Sequence, residues 1–237
     1  MQEITLSISI MHADWALDRK PVVAALAKQL AQEGGLIAPA EVIRDTTHQG
    51  VWATAKQAWL RGLKHGATHH LVLQDDVTIC KDFIAGLKKA LAAKPDAPVL
   101  PYANRKICEE AAARGDHWCT IGDGAWGQGF VLPTPLIKEW LLWDARNIDP
   151  AFDHDDSRLT IWLVKTSRPS WAMVPSIVDH LATMPSQLGH NNSTRVARRF
   201  VGVTGSALDI DWTKGLDAPL RASGSLGAFH KAAYIGD

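Results

Sequence analysis

The segment HHLVLQ at 69–74 runs straight into two adjacent carboxylates, Asp75 and Asp76, and this constrains the fold more than any other feature. A short apolar run bounded by turn-forming polar residues reads as a buried strand. The same pattern recurs. Glu3–Met11 is β-rich and gives way to the polar HADW, and Glu41–Asp45 is a short strand followed by TTHQG. Pro98–Tyr102 is another, and Trp171–Val178 leads into Asp179 and His180. Between the strands lie helical periodicities. Pro21–Gly34 carries Val22, Val23, Leu26 and Leu30 on one face and stops at Gly34-Gly35. Val51–His65 repeats Trp52, Ala55, Trp59 and Leu63, and Phe83, Ile84, Leu87 and Leu91 form a third stripe. Strands alternating with helices argue for an α/β domain with a mainly parallel central sheet flanked by helices. In such sheets ligands bind beyond the carboxyl ends of the strands, where HADW, Asp45 and Asp75-Asp76 all fall.

The second half is less regular. Residues 103–125 read as a loop with a short helix at Lys106–Ala113. GAWGQGFVL at 124–132 is glycine-punctuated and leads into a strand, followed by helices at Pro135–Trp143 and Asp155–Lys165. The expected organisation is one domain over residues 1–190, with halves at 1–102 and 103–190, and an irregular, loosely packed tail at 191–237.

Composition narrows the function classes. Lys plus Arg and Asp plus Glu each total 25, so the net charge is zero, without the basic excess that phosphate-neutralising proteins carry. Arg195, Arg198 and Arg199 are the one basic knot. Three cysteines without CxxC spacing give neither a disulfide framework nor a zinc site and imply a reducing, cytoplasmic setting. No apolar run approaches the ~20 residues needed to cross a bilayer. The first residues, MQEITLSISIM, read as a strand rather than a signal peptide.

Asp75 and Asp76 admit two readings. Adjacent carboxylates at a strand end can hold a hard divalent cation through oxygen and relieve their mutual repulsion by doing so. Alternatively, one of them caps a helix starting near Lys81. Asp155 and Asp156 open a helix, as the macrodipole favours, but also suit a general base.

The run THQGVWATAKQAWLRGLKHGATHHLVLQDDV resembles the nucleotide-sugar half of GT-A fold glycosyltransferases. The shared pattern is a glycine (Gly50), a helix bearing a basic-amide pair (Lys56-Gln57) and a strand ending in an acidic motif (Gln74-Asp75-Asp76). QDDV is similar to the EDDV of lipopolysaccharide- and collagen-type glycosyltransferases, with Gln74 replacing the first acid. HDDSRLTIWL at 154–163 resembles the ED-x-x-L segment of inverting members. The run through AWGQGF, DDSRLTIWL and VPSIVDH also looks like small glycosyltransferase-like proteins encoded by bacteriophages, which would place the chain in the host cytoplasm.

The resemblance implies a GT-A-like domain that transfers a sugar from a nucleotide-diphosphate donor, with UDP-sugar preferred, using Mn²⁺ or Mg²⁺. Asp76 would ligate the metal, with His180 or His190 as a further ligand. Asp75 and Gln74 would contact the ribose or the metal shell. Asp45 and His12 would border the base and ribose, and Lys56 would steady the diphosphate. Asp156, beside Asp155, would be the general base, and Trp126 and Gln128 would meet the acceptor. A modified DNA base, a glycan and a protein all remain as hydroxyl acceptors. Two other readings stand beside this one. A nucleotidyltransferase would need a glycine-rich phosphate loop, which HADWALDRK lacks. A non-catalytic nucleotide-sugar or carbohydrate-binding module is suggested by Gln74.

Overall fold

The computed structural model describes residues 3–122, 124–186, 189, 194–218 and 226–236. Strand β1 (Leu6–Ala13) is buried at all positions but its last, as befits a strand covered on both faces. It pairs in parallel with β2 (Glu41–Asp45) on one side and β3 (His69–Leu73) on the other. Beyond β3 lie β7 (Gly129–Pro133), β5 (Val99–Leu100), β8 (Ser170–Met173) and β6 (Trp118–Ile121), so the seven-stranded order is β2-β1-β3-β7-β5-β8-β6. Five strands share one direction. β7 and β6 run against it, so the pairs β3–β7, β5–β7 and β6–β8 are antiparallel. The architecture is mixed α/β with a mostly parallel, Rossmann-like sheet.

Alternation along the strands puts a core on each face. Leu71 and Leu73 of β3 and Val131 of β7 point to one side, where α1 (Lys20–Glu33) buries Val23, Leu26 and Leu30 and α3 (Phe83–Ala93) buries Phe83, Ile84, Leu87 and Leu91. Val72, Phe130 and Leu132 point to the other. There α2 (Val51–Gly62), α4 (Lys106–Ala113), α5 (Thr134–Asn147) and α6 (Asp155–Lys165) supply Ala55, Trp59, Ala111, Trp140 and Trp162. Trp59 and Trp140 meet edge to face at 5.2 Å. α2 ends before Leu63, which is exposed rather than part of its inward stripe.

Two departures from the sequence expectation matter for the site. The apolar run at 171–178 is not one strand: it divides into β8 and β9 (Val178–His180). β9 leaves the main sheet and pairs antiparallel with β4 (Val77–Ile79), immediately after Asp76. β6 emerges from a stretch whose mixed polarity reads as loop.

The described part of 191–237 is irregular but not loosely packed. Trp212 is buried against Trp118, whose indole N–H donates to the Trp212 carbonyl at 2.8 Å. A 3-10 turn at Ala207–Asp209 lies on α3 at Gly86, where a Cβ would come within 2.2 Å of Ala207 Cβ. α7 (Ala228–Ala233) closes a small cluster of Ile148, Ile161, Leu226 and Ala233. Apolar burial anchors this segment in spite of its glycine- and serine-rich composition. The three cysteines are buried and form no disulfide among the described residues, and Cys108 Sγ lies 3.7 Å from Cys119 Sγ. No helix among the described residues is long and apolar enough to cross a membrane.

Candidate functional site

A cleft of about 490 Å³ opens beyond the carboxyl ends of β1, β2 and β3. Met11–Ala13, Asp45 and Gln74–Asp76 come from those strand ends, while Gly50, Val51 and His154–Ser157 come from the starts of α2 and α6.

Asp75 and Asp76 are both buried and have different surroundings. Asp75 Oδ2 accepts the Ala13 N–H at 2.9 Å and lies 2.9 Å from His12 Nδ1, and its Oδ1 accepts from the Arg19 guanidinium. Both of its oxygens are thereby held by the protein. Asp76 Oδ2 lies 3.0 Å from Arg19 Nη2 and 3.3 Å from His180 Nε2, and its Oδ1 has no hydrogen-bond partner among the described residues. Burial pushes the Asp76 carboxyl up, but His180, Arg19 and Arg195 outweigh it and hold it below the ordinary carboxylate value. Arg19 also donates to the Pro185 carbonyl at 2.9 Å, tying the segment after β9 to the acidic pair.

His180 reaches Asp76 because the β4–β9 register sets Val77 opposite His180. Its ring is buried and neither nitrogen makes a hydrogen bond of acceptable geometry to the described residues. An orphaned imidazole beside an orphaned carboxylate oxygen fits a hard divalent cation, since both would otherwise bear an uncompensated desolvation cost. Among the described residues no group of three or more His, Cys, Asp or Glu is placed to hold a metal ion. Asp76 and His180 therefore fit as two protein ligands, with phosphate and water oxygens completing the shell, as magnesium sites commonly allow.

The other wall is built at the start of α6. Asp153 accepts the Val51 and Trp52 N–H groups at 3.0 and 2.6 Å, capping α2 from a distant part of the chain. Arg158, fully buried, grips both oxygens of Asp144 at 2.8 and 2.9 Å and donates to the Phe152 and Asp149 carbonyls at 2.7 and 2.6 Å. These contacts fix the loop that presents Asp155 and Asp156 to the cleft. Burial, and then the Asp156 charge, push the Asp155 carboxyl up to about 7.

Of the residues singled out from the sequence, His12, Asp45, Gln74, Asp75, Asp76, Asp155 and Asp156 all line the cleft, and His180 touches Asp76. Several of these are committed to the protein itself. His12, the Ala13 N–H and Arg19 hold Asp75, which still lines the cleft. Asp45 Oδ1 accepts the Thr47 and Gln49 N–H groups and shapes the loop between β2 and α2. Neither Asp75 nor Asp76 caps α3, whose N-cap is Asp82. Lys56 is exposed on α2 away from the cleft lining, with its charge acting on Asp144. Trp126 packs edge to face on Tyr102 at 6.2 Å and borders a narrow crevice beside Asp155 and Asp156 rather than the main cleft. Gln128 is buried outside the cleft lining, its amide unpartnered among the described residues. His190 lies outside the described residues.

Arg19, Arg195, Asp153, His154 and Phe229 also line the cleft, as does a stacked pair, Trp15 and His48, with ring centroids 4.5 Å apart. None was marked as a site residue by the sequence. The isolated Trp in HADW and the acid one turn before DDSRL were the available signals.

No family model matches the chain, and no curated protein sequence matches it. Among solved structures, the crystal structure of A197 from STIV is similar at a TM-score of 0.47 and 13% identity, covering 75% of this chain and 85% of that one.

Proposed function

We propose that the chain is a metal-dependent glycosyltransferase that moves a sugar from a nucleoside-diphosphate donor, a UDP-sugar in the first instance, to a hydroxyl acceptor. The observation that carries this is one cleft in which the Asp76–His180 pair and the Asp155–Asp156 pair come together beyond the strand ends. The motif resemblance of QDDV and HDDSRL supports the same reading, because the fold brings both motifs to that cleft. Among the described residues that line it, six carboxyl groups (Asp45, Asp75, Asp76, Asp153, Asp155 and Asp156) outnumber the two guanidinium groups of Arg19 and Arg195. A diphosphate enters such a field more readily with a divalent cation.

In the transfer, the bond between the anomeric carbon and the diphosphate oxygen breaks, and its electron pair leaves with the diphosphate. The acceptor oxygen forms the new bond to that carbon and gives its proton to Asp156, an assistance worth about 10²–10⁴ in rate. Asp76 and His180 would hold the cation, which would supply Lewis-acid neutralisation of the leaving group. Asp75, held by His12 and Arg19, keeps the turn before Val77 in place, and Arg19 ties that turn to Pro185.

Thermal melts with UDP, GDP, ADP and CDP, each with and without Mn²⁺, test the reading on wild type and Asp76→Asn. A ligand at ~100 times its dissociation constant adds about 2.7 kcal/mol of apparent stability. One nucleotide should raise the melting temperature only with Mn²⁺, and Asp76→Asn should abolish the rise. No rise with any nucleotide would overturn the reading. A rise without metal-dependent hydrolysis of the matching sugar donor would leave a nucleotide-sugar binding module.

A further inference from the structure

Phe229 is 53% exposed, yet it is held in place and forms part of the cleft wall. Its ring lies 5.0 Å from Phe152, 5.1 Å from His154 and 5.5 Å from His230, so four rings form one cluster at the mouth of α6. The segment that carries it is anchored further along. The Asp149 N–H donates to the Ala233 carbonyl at 2.9 Å, and the Ile235 N–H donates to the Asn147 carbonyl at 2.8 Å. Tyr234 stacks on Trp143, with Lys165 Nζ 3.6 Å from the Tyr234 ring centre. α7 is close enough to the catalytic wall for the Asp156 charge to act on His230. Ring packing thus fixes Phe229, and half of its surface stays open on the wall of the cleft that Asp155 and Asp156 also line.

We propose that the C-terminal segment 226–236 completes an acceptor subsite in which a neutral sugar ring stacks on Phe229 and His154 while its hydroxyls donate to Asp155 and Asp156. The proposal rests on the glycosyltransferase reading and adds the class of acceptor to it. The chemistry matches on both sides of the ligand. The C–H face of a pyranose removes an aromatic ring from water, and its hydroxyls supply donors to carboxylates that have only acceptor capacity when ionised. Asp153 is excluded from that role because both of its oxygens cap α2. A nucleobase would also stack, but one carried on a polynucleotide brings phosphates into a cleft with six carboxylates and two guanidinium groups. Like charges so placed oppose binding. The neutral carbohydrate is the occupant that the aromatic face and the acidic field both accept.

Saturation-transfer NMR on the full chain near neutral pH tests this with methyl α-glucopyranoside, methyl β-galactopyranoside and methyl α-mannopyranoside as neutral probes. Glucose 6-phosphate and oligothymidylate serve as charged comparisons. At least one methyl glycoside should bind in the millimolar range. Phe229→Ala should weaken it by roughly tenfold, whereas Phe229→Tyr, which keeps the ring, should bind like wild type. Both charged probes should bind more weakly than their neutral counterparts at low salt. The proposal is overturned if no methyl glycoside binds, if Phe229→Ala leaves binding intact, or if Phe229→Tyr loses as much as Phe229→Ala. It is also overturned if oligothymidylate is the preferred probe, which would mark a nucleic-acid acceptor. The Mn²⁺-dependent nucleotide melts are read separately on wild type. A failed melt with intact glycoside binding removes the transferase reading alone, and an intact melt with failed glycoside binding removes the acceptor subsite alone.

Discussion

Gly50 stands at the joint between the two halves of the cleft, and replacing it with alanine tests how that joint is made. Its φ of 104° and ψ of 161° lie in a region that only glycine adopts without strain. A Cβ there would meet Asp153 Oδ2 at 2.7 Å and Oδ1 at 2.8 Å. Those are the atoms that accept the Val51 and Trp52 N–H groups, so the methyl group would push the cap off α2 as well as strain the backbone. Strain contributes about 1–3 kcal/mol and the lost cap about 1, giving a destabilisation of about 2–4 kcal/mol. For a chain of this size each kcal/mol lowers the melting temperature by roughly 2–4 °C. Urea denaturation of wild type, Gly50→Ala, Asp153→Ala and the double variant separates the terms. Asp153→Ala alone should cost about 1 kcal/mol. In its background Gly50→Ala should cost only the strain, leaving a coupling of about 1 kcal/mol. Two costs that simply add, or a Gly50→Ala loss below about 1 kcal/mol, would refute the claim that Asp153 caps α2 through this glycine.

Two further outcomes follow from buried charge. Asp144→Ala should cost about 3–5 kcal/mol in urea denaturation, because it leaves the Arg158 guanidinium buried without a counter-charge. Replacing the pair together by Asp144→Leu and Arg158→Met should cost less than Asp144→Ala alone, and the reverse order would show that the ion pair is not the reason for the loss. Asp155 has a folded-state pKa of about 7 against an ordinary 3.8, so the stability associated with it is present below 3.8 and is lost as pH rises through 7. Asp155→Asn should therefore gain on wild type progressively between those two values and hold a constant advantage above them. A difference that does not change with pH would show that Asp155 is not held protonated.

Elements set by local periodicity were legible in the sequence. The bounds of α4 and α6 agree with the apolar spacing and flanking signals of Lys106–Ala113 and Asp155–Lys165. The end of β2 at Asp45 and the end of β3 at Leu73, just before Gln74 and Asp75, were equally clear, because an apolar run that stops at polar and charged residues leaves little choice. Pairing over long range was not. β4 and β9 have three residues each, too few to carry a pattern, and only their antiparallel register brings His180 to Asp76. β7 read as a strand, but nothing in GFVLP states that it runs against β3. Arg19 and Asp153 escaped for the same reason: one reaches across 56 residues to Asp75 and the other across more than 100 to α2. Their roles depend on which loops the sheet order brings together.

The distribution of charge carries the same lesson into function. A chain with 25 basic and 25 acidic side chains has no net charge to steer a polyanion, yet exposed charges separated by more than about 8 Å are largely screened, so the average says little about any one surface. The basic knot of Arg195, Arg198 and Arg199 is not a single patch. Arg195 turns into the acidic cleft, its backbone fixed by the Tyr102 hydroxyl on its carbonyl and by Asp179 Oδ1 accepting the Ala197 N–H at 2.6 Å. Arg198 and Arg199 face a separate cavity of about 520 Å³ with His117 and Phe200. Removing Arg198 and Arg199 would consequently change a surface outside the cleft lining. In the cleft Arg19 is already bound to both acids of the QDDV turn, which leaves Arg195 as the described guanidinium that would meet the donor phosphate under the proposed function. Neutrality over the whole chain is thus compatible with one acidic cleft, and under the proposed function that local field would favour a cation-accompanied donor and an uncharged acceptor.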